Sequence, residues 1–415
     1  MPQHIRRSLS RDTKQRIVEG LGVAAAIVIV ALLVSVAGQA PKSEGPAAVK
    51  TSWGAPDLQG IWTDPYQTPM QRPKKWAGKE FITDDERAGL DKARTVQPGF
   101  GERRAKRGSE NDVAGAYDSS VYATRKPTGR RTSMIIDPPD GRMPPYTEAV
   151  QKRNQILHQF YLGTVAASIT CKEKQRGCQD GTYDPKAPHR NDPHPFYPAT
   201  FGPPVAPIGG YINRSDGPED RGPWERCMAA NLPDFGGYRR IVQSPESVSM
   251  VYDTGQGQSW HRTIPISGNP HLPPSVRQWW GDSRGHWEGN TLVVDVTNFS
   301  LKTEFRYARE NLHLVERWTR TGPNTLEYIV TIDDPTTWTK PWTVKQELVK
   351  QSDHDNRVYA EPRCHEGNSA MIGLLAGERR IERDYAAGKG PNPATFNSVI
   401  TVNAALSDED LAAPE

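Results

Sequence analysis

The sequence predicts a mainly β protein: an antiparallel meander forming a barrel or strongly curled sheet, with a few peripheral helices and long loops. Three observations carry that expectation. Residues 291–296, 312–319, 326–333 and 343–349 are rich in Val, Ile, Thr, Tyr and Trp, with polar residues interleaved at a period near two, as in half-buried strands. Turn chemistry separates them: Gly322-Pro323-Asn324 stands between two such runs and Glu288-Gly289-Asn290 precedes another. A meander of many short strands then curls or closes, because an open edge of unpaired backbone groups invites aggregation.

In chain order, residues 1–40 read as a signal peptide or N-terminal membrane anchor. Arg6, Arg7, Arg11, Lys14 and Arg16 precede an uncharged run from Gly20 to Ala40 that ends in small residues. Cleavage is the preferred reading, although the run approaches the ~20 residues that span a bilayer. Either way the rest of the chain is expected outside the cytoplasm, in the periplasm or secreted, with the inner membrane touched only through an uncleaved leader. Residues 41–55 are a linker, 56–390 a single β-rich domain and 391–415 a tail.

Within the domain, residues 57–62 form the first expected strand. Thr83 and Glu86 have capping-box spacing ahead of Leu90, which predicts a helix. Residues 99–129 are basic and without period, a surface loop. Residues 131–145 read as a strand leading into a Pro-Pro-Asp-Gly turn, and 148–167 as a helix with Val150, Ile156, Leu157, Phe160 and Tyr161 near one face. Nine prolines between Pro185 and Pro218 bar regular structure from a Pro/Gly-rich insertion at 171–223. It is either a lid or a surface insertion. Strands resume at 238–243, 248–252 and 259–266; 357–362 is a candidate last strand and 370–386 a helix.

Composition limits the function classes. The chain has 52 basic and 49 acidic residues; without the five basic and two acidic residues of the leader, 47 of each remain. Such a balance draws neither nucleic acid nor an anionic membrane. Four cysteines in an exported chain suggest two disulfides. The proximity of Cys171 and Cys178 favours their pairing, leaving Cys227 with Cys364, among three possible connectivities. No metal site is expected, since no short Cys-x-x-Cys pair occurs and His261 and His271 stand ten apart. There is no Gly-x-Ser-x-Gly, His-Glu-x-x-His, Walker loop or dinucleotide fingerprint, so no cofactor is expected.

Two constellations could carry chemistry. In 312–319 one face holds Leu312, Leu314, Glu316 and Trp318 and the other His313, Val315, Arg317 and Thr319, so period alone does not say which points inward. If His313 and Arg317 line a cavity, an imidazole lies beside a fixed cation, suited to proton transfer with Glu316 orienting; a cross-strand salt bridge and a surface histidine is the plainer reading. The second cluster is Trp279, Trp280, Asp282, Arg284, His286 and Trp287, with Glu304 a further carboxylate. Aromatic walls beside an acid and a guanidinium suit a ligand with an apolar or sugar-like face; a structural corner with Asp282 capping a turn is the alternative.

The motifs PDLQGIW, RRTSMIIDPPDGRMPP, PWERC, HLPPSVRQWWGDSRGHWEGNTLVV, ENLHLVERW, DDPTTWTKPW and CHEGN, spread from Pro56 to Asn368, resemble those of a family of exported bacterial proteins of unassigned function. That resemblance implies no mechanism. The Gly-x-Trp of Gly60 and Trp62 resembles the opening strand of lipocalin-type barrels, which implies a calycin-like barrel with Trp62 packed at its floor. The expected function is an exported small-molecule-binding barrel, either a cofactor-free acid-base enzyme (hydrolase, lyase or isomerase) on a partly apolar substrate or a non-catalytic envelope or carbohydrate-binding protein.

Overall fold

Ten strands make one antiparallel sheet that wraps almost completely into a barrel. The computed structural model describes residues 49–96, 126–153, 155, 218, 232–235, 238–253, 259–301, 303, 305–352 and 369–390. The leader, all four cysteines, Glu304, the 171–223 insertion, the candidate strand 357–362 and the tail lie outside the described residues, except for Pro218 within the insertion. The strands are β1 (Gly60–Thr63), β2 (Ile135–Asp137), β3 (Tyr238–Gln243), β4 (Ser247–Asp253), β5 (Ser259–Pro265), β6 (Asp282–Glu288), β7 (Thr291–Thr297), β8 (His313–Gly322), β9 (Thr325–Asp333) and β10 (Trp342–Lys350). The helices are α1 (Asp84–Val96) and α2 (Ser369–Ala386), with a short 3-10 turn at Lys74–Trp76. Residues 148–153 are also helical, the described start of the helix expected over 148–167. Among the described residues no helix is long and apolar enough to cross a membrane.

The order around the sheet is β5-β4-β3-β1-β10-β9-β8-β7-β6, and each neighbouring pair on that path is antiparallel. β1 is short and meets β10 only at Lys350 and Val349, so β2 takes the vacant edge further along, opposite Thr343 and Val344. Nine strands cannot alternate direction all the way round a ring. One parallel junction is forced, and it falls between β5 and β6, where Ile266 and Gly285 make a single parallel bridge.

Gly285 is what lets that junction close. A Cβ there would lie 2.7 Å from Ile266 Cδ1 and 2.8 Å from Ile264 Cγ2, nearer than carbon atoms pack. At one end of the barrel the hairpins are tight, with 289–290 joining β6 to β7 and 323–324 joining β8 to β9; Gly289 there has φ +59°. The long connections 298–312 and 334–341 gather at the opposite end.

The core runs through the barrel interior. Trp62, Trp318, Trp342, Tyr252 and Tyr328 are fully buried. Trp318 stacks on Tyr328 with ring centroids 4.0 Å apart, and Trp260 is sandwiched between Tyr252 at 4.2 Å and Trp280 at 4.6 Å. Trp62 donates its indole N–H to Leu58 O at 2.8 Å, and the Arg320 guanidinium lies over its ring while bonding Asp57 O and Gly322 O. Outside the barrel, α1 begins with the expected reciprocal cap: Glu86 N–H donates to Thr83 Oγ1 and Thr83 N–H to Glu86 Oε2.

Candidate functional site

Burial along β8 decides which face points inward. Leu314, Glu316 and Trp318 are fully buried, while His313 and Arg317 each keep about two-fifths of their side chains exposed. The inward side must match Leu292, Val294 and Val296 of β7 and Leu326, Tyr328, Val330 and Ile332 of β9, so the bulky apolar residues of β8 go there. The expectation that His313 and Arg317 line a cavity is therefore corrected: both stand on the outer face. Glu316, grouped with them in sequence, is on the opposite face and cannot orient either. His313 and Arg317 are also four residues apart, roughly 13 Å along a strand, too far to share one oxygen atom.

Inside, Glu316 anchors a charged cluster. Its Oε2 accepts from Arg262 Nη2 and its Oε1 from the Tyr328 hydroxyl at 2.8 Å, while Arg262 Nη1 reaches Ser283 Oγ at 3.3 Å across the β5–β6 junction. Burial works against charge on Arg262, yet the adjacent Glu316 carboxylate outweighs it and raises the pKa. Burial pushes the Tyr252 phenol up to about 12 and lifts Tyr328 well above its usual value, where Glu316 adds to the effect. Arg239, fully buried, donates to Asp234 O and to Gln346 Oε1 at 3.3 Å, and its guanidinium sits over the Tyr252 and Tyr328 rings. Gln346 in turn donates to Asp64 Oδ2 and Phe235 O.

A second cluster lies on the outer face of β6, β7 and β8. His271, in the segment returning from β5 to β6, places Nδ1 2.9 Å from Asp282 Oδ2 and Nε2 2.8 Å from Asp295 Oδ1. Asp295 Oδ2 lies 2.9 Å from His313 Nε2, and Asp282 also binds Arg284 at 3.1 Å and the Leu272 N–H. The result is a chain from Arg284 through Asp282, His271 and Asp295 to His313, half open to water at its His313 end. His271, with one ring nitrogen on each of two carboxylates, ties the return segment to both β6 and β7. The hydrogen bond to Asp295 holds the His313 pKa above its ordinary value, and the same bond holds Asp295 below the usual carboxylate range; burial opposes both shifts.

Three members of this chain, Asp282, Arg284 and His313, belong to the residues predicted from sequence. The other predicted residues go elsewhere. Arg317 pairs with Glu288 at 2.7 Å and His286 lies 3.2 Å from the same carboxylate, an exposed trio further along the sheet. These two contacts lower the Glu288 pKa, with Arg317 the larger cause. Trp280 packs on Trp260 at the core. Trp279 and Trp280 lie in a turn, and Asp282, which opens β6 directly after it, makes the expected bond to Arg284. Among the described residues no group of three or more His, Cys, Asp or Glu is placed to hold a metal ion.

The long-loop end of the barrel carries a small, half-open hollow of about 10 Å³, lined by Leu232, Phe299, Thr303, Phe305, Ala308 and Leu312, with Arg309 at its side. The backbone of Arg306 and Tyr307 there has positive φ, 49° and 75°, so the loop that walls it is tightly bent. Phe305 faces Trp342 at 6.2 Å and Phe235 at 6.3 Å.

Together these features define an up-and-down β-barrel with a charged core and an apolar mouth. No family model matches the chain and no curated protein does. One solved structure with local similarity is a secretory abundant heat soluble protein from Ramazzottius varieornatus, 11% identical over 28% of this chain and 70% of that one, with a TM-score of 0.19. At that score the likeness carries no argument about fold or function.

Proposed function

We propose that this is an exported β-barrel protein that holds a small, partly apolar organic molecule at its long-loop end. The observation that carries the reading is the hollow walled by Phe299, Phe305, Ala308 and Leu312, with Thr303 and Arg309 supplying polar contacts. Ligand sites combine mostly apolar walls with a few placed polar groups. As it stands the hollow has room for about one water, so one ring or a short branched chain of a larger molecule enters it only as the side chains that wall it move apart. Native mass spectrometry of the purified full chain, compared with its denatured mass, tests the proposal. A bound organic molecule that is lost in Ala308→Leu, which fills the hollow, supports it; a molecule retained by that variant places the site elsewhere.

Acid-base turnover is a second reading, favoured by the Asp295–His313 pair. A carboxylate holding an exposed imidazole by one nitrogen leaves the other nitrogen for a substrate proton. His313 is then the base, Asp295 orients it, and Arg284, tied in through Asp282, is the remaining candidate to hold oxygen atoms. Loss of turnover with retained binding in His313→Ala supports this; undiminished turnover removes it. The carbohydrate-binding alternative needs tryptophans on an open face: Trp62, Trp260, Trp318, Trp338 and Trp342 are buried and Trp280 and Trp287 pack against the core, which leaves the exposed Trp53 and the half-buried Trp76 and Trp279.

A further inference from the structure

The turn that walls the mouth hollow runs against the preference of its own residues. Phe305 N–H donates to Ala308 O at 2.9 Å and Ala308 N–H to Phe305 O at 3.0 Å, so only Arg306 and Tyr307 form the tip of this hairpin. Both have positive φ, 49° and 75°. Two-residue hairpins of that hand are normally made by Asn-Gly, Asp-Gly or Gly-Gly, because in the left-handed region a Cβ crowds the following carbonyl oxygen. Arg and Tyr lack that freedom, and such a conformation persists only where the surroundings over-determine it.

The restraining contacts can be named. The Tyr307 ring meets Tyr146 edge-on, with centroids 5.2 Å apart and planes at 86°, and the Arg153 guanidinium lies over the same ring at 5.5 Å. Tyr146 itself stacks on Trp338 at 6.3 Å. Its segment is stitched to the 334–341 connection by the bonds Thr147 N–H to Thr337 O and Thr339 N–H to Pro145 O, which makes Tyr146 a fixed post. The two residues that close the turn, Phe305 and Ala308, both line the hollow.

We propose that the 305–308 turn is a strained latch: Tyr307 against Tyr146 holds it shut, and its release lets Arg306 and Tyr307 leave the left-handed region and carries Phe305 and Ala308 off the hollow. This rests on the reading of that hollow as the ligand site, and it names the wall that gives way to admit the guest. Backbone strain at the tip favours opening. The ring contacts of Tyr307, with the packing of Phe305 on Trp342 and Phe235, favour closing. The population of the open form is thus set by two groups of residues that can be altered one at a time.

Native-state hydrogen exchange of the full chain, read amide by amide by NMR, tests the latch without a ligand. The Phe305 and Ala308 amides are expected to exchange through local opening that low urea does not affect, while those of Leu314 and Tyr328 exchange only through global unfolding. Tyr146→Ala speeds exchange at 305 and 308 about two- to twelvefold, the worth of an aromatic pair. Arg306→Asn slows it several-fold, as the enrichment of Asn in the left-handed region implies. The proposal is overturned if the two amides are protected to the global level, or if Arg306→Asn leaves their exchange unchanged. Should Tyr146→Ala fail to fold, wild type and Arg306→Asn decide alone. Benzene, followed at the Ala308 and Leu312 methyl groups, separates the latch from the ligand reading: its apparent affinity tightens in Tyr146→Ala and weakens in Arg306→Asn if both hold. A turn that opens while benzene moves neither methyl group in any variant upholds the latch and removes the ligand site. Benzene binding beside a fully protected turn upholds the site and removes the latch.

Discussion

Replacing Glu316 by Gln probes the charged core most sharply. Glu316 is fully buried, and each of its oxygens accepts one hydrogen bond, from Arg262 and from Tyr328. Gln keeps one acceptor oxygen but turns an amide donor toward either the guanidinium or the hydroxyl, and it removes the counter-charge of Arg262, whose side chain is 5% exposed. Breaking a buried pair from one side costs about 3–5 kcal/mol, mostly the penalty of a charge left alone. Against a total stability of roughly 5–15 kcal/mol that is a large fraction. For a domain of this size it lowers Tm by about 6–20 °C. Urea unfolding followed by tryptophan fluorescence, with far-UV circular dichroism as a check on folding, measures it. The companion double variant, Glu316→Leu with Arg262→Met, removes both charges and is expected within about 1 kcal/mol of wild type or above it, so the double-mutant cycle returns a large coupling energy. A loss below about 1 kcal/mol in a normally folded Glu316→Gln protein would refute the reasoning, because no uncompensated charge would then have been created.

Two further outcomes follow from the outer wall. Gly285→Ala pushes a Cβ against Ile264 and Ile266 at the parallel junction and is expected to cost about 1–3 kcal/mol despite the better strand propensity of Ala; an unchanged urea midpoint would mean the junction is not closed. The Asp295–His313 pair makes stability depend on pH. A raised His313 pKa contributes fully below the unfolded value of about 6.5 and is lost as pH rises through the folded value; a lowered Asp295 pKa contributes above about 3.9 and is lost as pH falls through its folded value. The urea midpoints of wild type and His313→Gln should therefore differ most between about pH 4 and 6.5 and converge above that window. With both groups about two-fifths exposed the difference stays under about 1 kcal/mol, and a gap that does not change with pH would show that the pair carries no charge.

Most of the architecture was legible in the chain. The runs at 238–243, 326–333 and 343–349 match β3, β9 and β10 to within a residue, because β-branched, aromatic and Leu residues recur along them between turn signals. The strand β6 was not recognised. Its sequence, DSRGHWE, has no β-branched residue, and its inward set of Ser283, Gly285 and Trp287 is dictated by how closely β5 approaches, a distance that sequence does not carry. The faces of β8 were ambiguous for a related reason: one buried charge among the inward residues, Glu316, is as polar as anything on the outward side. Its partner Arg262, and Arg239 beside it, went unnoticed because SWHRTIP and YRRIVQ carry basic residues on both faces.

Within the candidate site, Asp295 and His271 were the residues missed. Asp295 did leave a signal, a lone carboxylate at an outward position of the Val-rich run TLVVDVT. In sequence His271 offers only a poor metal-ligand spacing to His261; its contacts arise from the return path of the chain over β6 and β7, which local pattern cannot supply.

The central claim, that the mouth of the barrel holds part of a small organic molecule, is tested most directly by methyl-resolved NMR. Leu and Ala methyl groups are followed while the full chain is titrated with a mixture of single-ring aromatic and short branched compounds. Saturable shifts at Ala308 and Leu312, absent from the distant methyl groups of Leu326 and Leu348, are the predicted result. A titration in which Ala308 and Leu312 stay fixed while other methyl groups move, or in which none moves, contradicts it.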